Sequence, residues 1–114
     1  MSERRLQREM RMYLRMRGFR SVHVPNGSVL AGDATKRAIQ MNSLKRDGLM
    51  IGFPDLLVYG PEGRVGHIEV KLEGGKQSET QKDVQRWMGE WGHSYAVCRS
   101  LEDVAETLNR WGWQ

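Results

Sequence analysis

The stretch GFPDLLVYGPEGRVGHIEVK, residues 52–71, decides how the chain is read. Residues 55–59 and 65–71 are rich in β-branched, aliphatic and aromatic side chains, and Gly60-Pro61-Glu62-Gly63 separates them as a turn, which is a hairpin signal. Successive strand side chains point to opposite faces, so Glu69 and Lys71 share one face and Ile68 and Val70 the other. With the loop taken over residues 60–64, Tyr59 faces Val65 and Asp55 falls opposite Glu69. Two carboxylates and an ammonium then meet on one sheet surface. Like charges that close repel, and the arrangement calls for a compensating cation of which Lys71 supplies one charge. A few oxygen ligands with open water positions suit Mg²⁺ or Mn²⁺. The same residues also allow a plainer account, in which Asp55 starts a strand after Pro54 while Glu69 and Lys71 decorate a solvated face.

Outward from this stretch, glycine punctuates alternating elements. Ser2 caps a helix over residues 2–17 that stops at Gly18, with Leu6, Met10, Tyr13 and Leu14 at helical spacing. A strand over 19–24 ends at Pro25-Asn26-Gly27, and a more polar helix over 33–46 follows a flexible stretch and closes at Asp47-Gly48. Downstream, Ser78 with Gln81 forms a capping box, opening a helix whose Val84, Trp87, Met88 and Trp91 follow the i, i+3, i+4, i+7 pattern until Gly92. A strand over 94–98 and a last helix opened by Ser100 with Asp103, carrying Leu101, Val104, Ala105, Leu108 and Trp111, complete the order αβ(α)ββαβα. That order predicts an α/β fold with a mixed central sheet flanked by helices, in one domain spanning residues 1–114.

The 114 residues, 39% hydrophobic, suffice for one modest core. No apolar run is long enough to cross a bilayer, and MSERRLQREM lacks the apolar centre of a secretory signal, so a soluble cytoplasmic protein without a membrane partner is expected. Lone Cys98, in the strand-like context Tyr95-Ala96-Val97-Cys98, reads as a small buried hydrophobe. The formal net charge is +4, and 11 of the 18 Lys and Arg residues lie in the first 46 positions against Glu3, Glu9 and Asp33. An electropositive half of this kind favours an anionic partner such as nucleic acid.

Gly52-Phe53-Pro54-Asp55, then Glu69-Val70-Lys71, then Gly75-Lys76-Gln77-Ser78-Glu79-Thr80-Gln81, resembles the VRR-NUC branch of the PD-(D/E)XK nucleases in its stand-alone phage or bacterial form. Trp91-Gly92-His93 through Val97 is similar to the family's closing helix-strand pair. The resemblance implies a restriction-endonuclease-like core and Mg²⁺- or Mn²⁺-dependent hydrolysis of phosphodiesters in DNA. It implies Asp55, Glu69 and the Val70 carbonyl as metal ligands, Lys71 as the catalytic lysine, and Gln81 as an active-site residue. Gln81 has an equally complete structural account as the third residue of its capping box. A first-helix glutamate near the metal is a family feature that Glu9 matches, since Glu9 falls on one side of the first helix with Leu6, Tyr13 and Met16; a glutamate there can also reach solvent along its own stem.

Other candidates carry less. His23, His67 and His93 are scattered without zinc-ligand spacing. Arg4, Arg8, Arg11 and Arg15 make a stripe that reads as a solvated face, whereas Lys36, Arg37, Lys45, Arg46, Lys76 and Ser78 lie where a phosphate backbone could be followed. Asn26-Gly27-Ser28 with Gly32 resembles the family's early loop that approaches DNA. Trp87, Trp91, Trp111 and Trp113 read as core and dimer residues rather than base-stacking platforms. The expected activity is structure-selective cleavage of branched DNA such as Holliday junctions by a homodimer, because stand-alone members resemble junction resolvases and a two-fold dimer offers two sites to two strands. Two alternatives stay open: a non-catalytic basic DNA-binding module, and a nicking or end-processing nuclease that needs a partner protein.

Overall fold

Each helix begins where a short polar side chain accepts from the backbone N–H three residues on, satisfying a donor the helix itself leaves orphaned. Ser2 caps α1 (Glu3–Met16), Asp33 caps α2 (Ala34–Arg46), Ser78 caps α3 (Glu79–Glu90) and Ser100 caps α4 (Leu101–Trp111). The computed structural model describes residues 1–25 and 30–114. The sequence reading of Asn26, Gly27 and Ser28 as a loop that approaches DNA therefore falls outside the described residues.

Four strands, β1 (Arg20–His23), β2 (Leu56–Gly60), β3 (Arg64–Val70) and β4 (Ser94–Cys98), form one sheet in the order β1-β2-β3-β4. The first two pairings are antiparallel and β3 pairs with β4 in parallel, so the sheet is mixed as expected. Tyr59 faces Val65, the register set by the hairpin reading. Gly60 and Arg64 also pair, which shortens the turn to residues 61–63, with Glu62 at φ 65.

Strand alternation sends Leu56, Val58, Ile68, Val70, Ala96 and Cys98 to one face, where Leu6, Met10 and Leu14 of α1 and Val104 and Leu108 of α4 cover them. Trp113 and Phe19 close this core with ring centroids 5.5 Å apart. Met16, expected on the apolar side of α1, is 83% exposed: the buried row runs 6, 10, 14, and a residue two beyond Leu14 points roughly 200° away from it. Cys98 is buried beside Thr107, and burial pushes its thiol up to about 11, the structural role read for it. The opposite face carries His67 and Glu69, and α3 packs there against β4 with Val84 and Met88 buried.

α2 differs from the other helices. It has both caps in place and basic residues in its last turn, yet none of its residues is buried and it packs against no other helix or strand among the described residues. No helix of the described residues is long and apolar enough to cross a membrane.

Candidate active site

Pro54 and Asp55 lie just before β2, where the ladder with β3 runs out. Carried one and two residues beyond the Leu56–Ile68 pair, the register sets Asp55 opposite Glu69 and Pro54 opposite Val70. Proline has no N–H, so Pro54 cannot donate to the Val70 carbonyl as a strand residue would. The Val70 N–H instead donates to Asp55 Oδ2 at 2.7 Å. On its other side the Asp55 carbonyl accepts from the Val24 N–H at 2.8 Å and from His23 Nδ1 at 3.1 Å. Asp55 is thereby held from both neighbouring strands, and a proline at position 54 leaves a backbone oxygen beside it without its ladder donor.

Glu69 is 1% exposed. Its Oε2 accepts from Gln81 Nε2 at 2.8 Å and lies 3.5 Å from Lys71 Nζ, while Oε1 is buried with no hydrogen-bond partner among the described residues. Burial first, and then the negative charge of Asp55, pushes the Glu69 carboxyl up to about 8, against the opposing pull of Lys71. With both acids ionised, a single ammonium leaves one negative charge uncompensated in this dry corner, and an orphaned buried oxygen there costs free energy until something pairs with it. A small divalent cation would meet that need, and the Asp55 and Glu69 carboxylates and the Val70 carbonyl are oxygen donors of the kind such ions prefer. Among the described residues no three Asp, Glu, His or Cys side chains converge as a metal-binding group, so this donor set is two acids and a backbone oxygen.

Gln81 makes the capping box and also reaches Glu69. Its Oε1 accepts from the Ser78 N–H at 2.8 Å to complete the capping box, and its Nε2 is thereby turned toward Glu69. The start of α3 reaches the acid pair because Gly52 lets it. A Cβ at Gly52 would lie 2.6 Å from the Thr80 carbonyl carbon and oxygen and 2.9 Å from the Gln81 nitrogen, and its φ of +88° is a conformation side chains disfavour.

Two contributors, Tyr95 and Arg99, escaped the sequence reading, which sets His67 aside for want of zinc-ligand spacing. Tyr95 pairs in register with His67 across the parallel ladder, so it shares the face of Glu69. Its hydroxyl accepts from Gln77 Nε2 at 3.2 Å, and burial, then the charge of Glu69, hold the phenol above its ordinary range. Arg99 donates one guanidinium nitrogen to the carbonyls of Leu72 and Gly75, each at 2.7 Å, which pins the loop between Lys71 and Gln77. His67 is buried with Nδ1 donating to the Ser94 carbonyl at 2.9 Å, and burial lowers its pKa; it stacks edge-on with Phe53 at 5.9 Å. The only sequence signal for Tyr95 was strand parity, which has no meaning across strands until their pairing is known.

The remaining candidates lie apart from this corner. Glu9 is half-buried and pairs with Arg5 at 3.6 Å, and it joins no acid cluster among the described residues. Lys36, Arg37, Lys45 and Arg46 are exposed along α2. Lys76 is exposed in the loop before α3, and Ser78 caps that helix. Trp113 is buried and Trp111 packs on the core, which accounts for two of the four tryptophans within one copy of the chain; Trp87 is half-buried and Trp91 is 72% exposed.

The model of the VRR-NUC domain family matches residues 1–102. A solved structure described as a VRR_NUC domain superposes with a TM-score of 0.68 at 22% identity, covering 96% of each chain. At that identity the likeness speaks for the fold, and the restriction-endonuclease-like core implied by the resemblance agrees with it. None of the curated proteins gives a significant match.

Proposed function

The chain belongs to the VRR-NUC domain family, a family of nuclease domains, and from that membership we propose that it is a divalent-metal-dependent DNA endonuclease centred on Asp55, Glu69 and Lys71. The observation that carries this is the buried Glu69 Oε1, partnerless beside a second carboxylate and a backbone carbonyl that Pro54 cannot serve. Asp55, Glu69 and Val70 would hold Mg²⁺ or Mn²⁺. When bound, such an ion supplies Lewis acidity and charge neutralisation at the phosphodiester.

The chain's own residues prepare the rest. Gln81 Nε2 and Lys71 Nζ both engage Oε2 of Glu69, which holds that oxygen and leaves Oε1 as the open ligand atom. Burial and the charge of Asp55 favour the protonated form of Glu69 in the metal-free protein, and that proton would have to leave before both acids could act as ligands. The Lys71 ammonium, only 12% exposed, is a fixed positive charge for the phosphate as it gains negative character. Hydrolysis adds water to phosphorus and breaks one P–O ester bond, with a proton taken up by the leaving oxygen. Lys36, Arg37, Lys45 and Arg46 on exposed α2, with Lys76 and Ser78 at the start of α3, would follow the DNA backbone.

The proposal extends to branched DNA cut by a homodimer. Support comes from apolar side chains that a lone copy leaves in water, namely Val22, Ile39, Met50, Ile51, Tyr59 and Trp91, and from an α2 that packs against no other helix or strand among the described residues. Purified protein incubated with labelled duplex, flap, splayed and four-way DNA in Mg²⁺, Mn²⁺ or EDTA tests activity and substrate. Sedimentation at micromolar concentration tests assembly. Cleavage in EDTA would overturn the metal assignment, and a monomer of about 13 kDa making paired cuts in a junction would overturn the dimer.

A further inference from the structure

Resting on the reading of the chain as a DNA endonuclease, we infer that a concavity between α1 and the start of β1 is a second phosphate site. It takes a backbone phosphate of the same DNA at a distance from the scissile bond. The concavity, about 500 Å³, is lined by Arg11, Arg15, Gly18, Phe19, Arg20 and Ser21. Three guanidiniums line it and no carboxylate does.

Arg11 is held in place. Its Nε donates to Ser21 Oγ at 3.2 Å and its Nη2 donates to the Ser21 carbonyl at 3.1 Å. Arg15 and Arg20 are exposed, and neither pairs with an acid among the described residues, whereas Arg5, Lys82 and Arg86 each lie against a neighbouring carboxylate. Positive charges gathered around a hollow without a counter-ion repel one another, and an anion relieves them. Guanidinium groups offer paired N–H donors that match phosphate oxygens.

The distance sets what that anion is. Arg20 pairs with Tyr59, while Val24 donates to the Asp55 carbonyl, so the concavity lies four residues along the chain from the acid pair. That is roughly 13 Å at the rise of a strand, or about four phosphate steps along one strand of duplex. A phosphate there belongs to a nucleotide other than the one being cut.

The test uses the whole protein and a fluorescein-labelled four-way junction, with binding measured in EDTA across a salt series. Arg15→Gln combined with Arg20→Gln should weaken binding about 10- to 100-fold at about 0.15 M salt and lower the slope of log affinity against log salt by about two. The cleavage rate at saturating protein in Mg²⁺ should stay within about threefold of wild type, because the site positions DNA without touching the reacting atoms. Arg4→Gln with Arg8→Gln removes the same charge from the same helix outside the concavity and should weaken binding far less. Unchanged affinity and slope, or equal loss in the two pairs, would overturn the site. A wild-type protein that binds with this arginine-dependent slope but never cuts in Mg²⁺ or Mn²⁺ would sink the endonuclease reading and leave the phosphate site standing.

Discussion

The corner where β2 begins and β3 ends, and the helix α2, are both rich in charge, and they treat it in opposite ways. At the corner, Asp55, Glu69 and Lys71 are tied to backbone, to Gln81 and to one another, and one carboxylate oxygen is left without a partner. On α2, Lys36, Arg37, Lys45 and Arg46 stand in water and no residue is buried. The first region has a stored electrostatic problem that a ligand can solve; the second has exposed charge that a polyanion can collect at little structural cost. Chemistry requires the first arrangement and attraction requires only the second.

The largest effect expected from breaking this contrast is catalytic. Asp55→Asn, Glu69→Gln and Lys71→Ala should each lower metal-dependent cleavage by roughly 10³-fold or more, as removal of a ligand or of a transition-state charge does. Junction binding and secondary structure should persist, checked by gel shift and circular dichroism. Full activity in Asp55→Asn would refute the assigned site.

Backbone substitutions give the next effect and compare the two regions directly. Gly52→Ala places a methyl 2.6 Å from the Thr80 backbone at a φ of +88°, and it should destabilise by about 2–4 kcal/mol while pulling Gln81 away from Glu69. Gly48→Ala, just past α2, has a φ of +113° but nothing within 4 Å of the new methyl, and about 1 kcal/mol is expected. Urea titration of both variants measures the difference; equal losses would show that the corner is no tighter than the helix end.

A smaller effect follows from pH. Glu69 sits at about 8 in the folded protein against 4.5 as its ordinary value. The folded state therefore binds more protons between those values, and metal-free stability should be fully present below about 4.5 and fall as pH rises toward 8. Mg²⁺ or Mn²⁺ should restore stability at the alkaline end, and Glu69→Gln should flatten the profile. Thermal melts across pH with EDTA or metal check both, and a metal-free protein growing steadily more stable from pH 5 to 8 would contradict the buried, proton-holding carboxyl.

The smallest effect belongs to α2. Lys36→Gln with Arg37→Gln should change stability by no more than about 0.5 kcal/mol, since both side chains are exposed on a helix with no buried residue, yet should flatten the salt dependence of DNA binding. Denaturant unfolding and binding titrations separate the two readouts.

These regions also differ in how they could be read in advance. The caps at Ser2, Asp33, Ser78 and Ser100, the hairpin that sets Tyr59 against Val65, and the alternation that sets Glu69 with Lys71 all depend on neighbours within a few positions, so the sequence alone determined them. The Pro54-Asp55 and Glu69-Val70-Lys71 motifs were legible for the same reason. Only the tertiary structure decided that β4 lies parallel to β3 and brings Tyr95 beside the acids, that Gly52 admits the first turn of α3, and that Gln81 therefore serves its cap and Glu69 at once. It also decided that Met16 faces water and that α2 rests on no other helix or strand among the described residues. Periodicity tells which side of an element is apolar, whereas which surface meets that side depends on the pairing of residues far apart along the chain, and local pattern carries no record of that pairing.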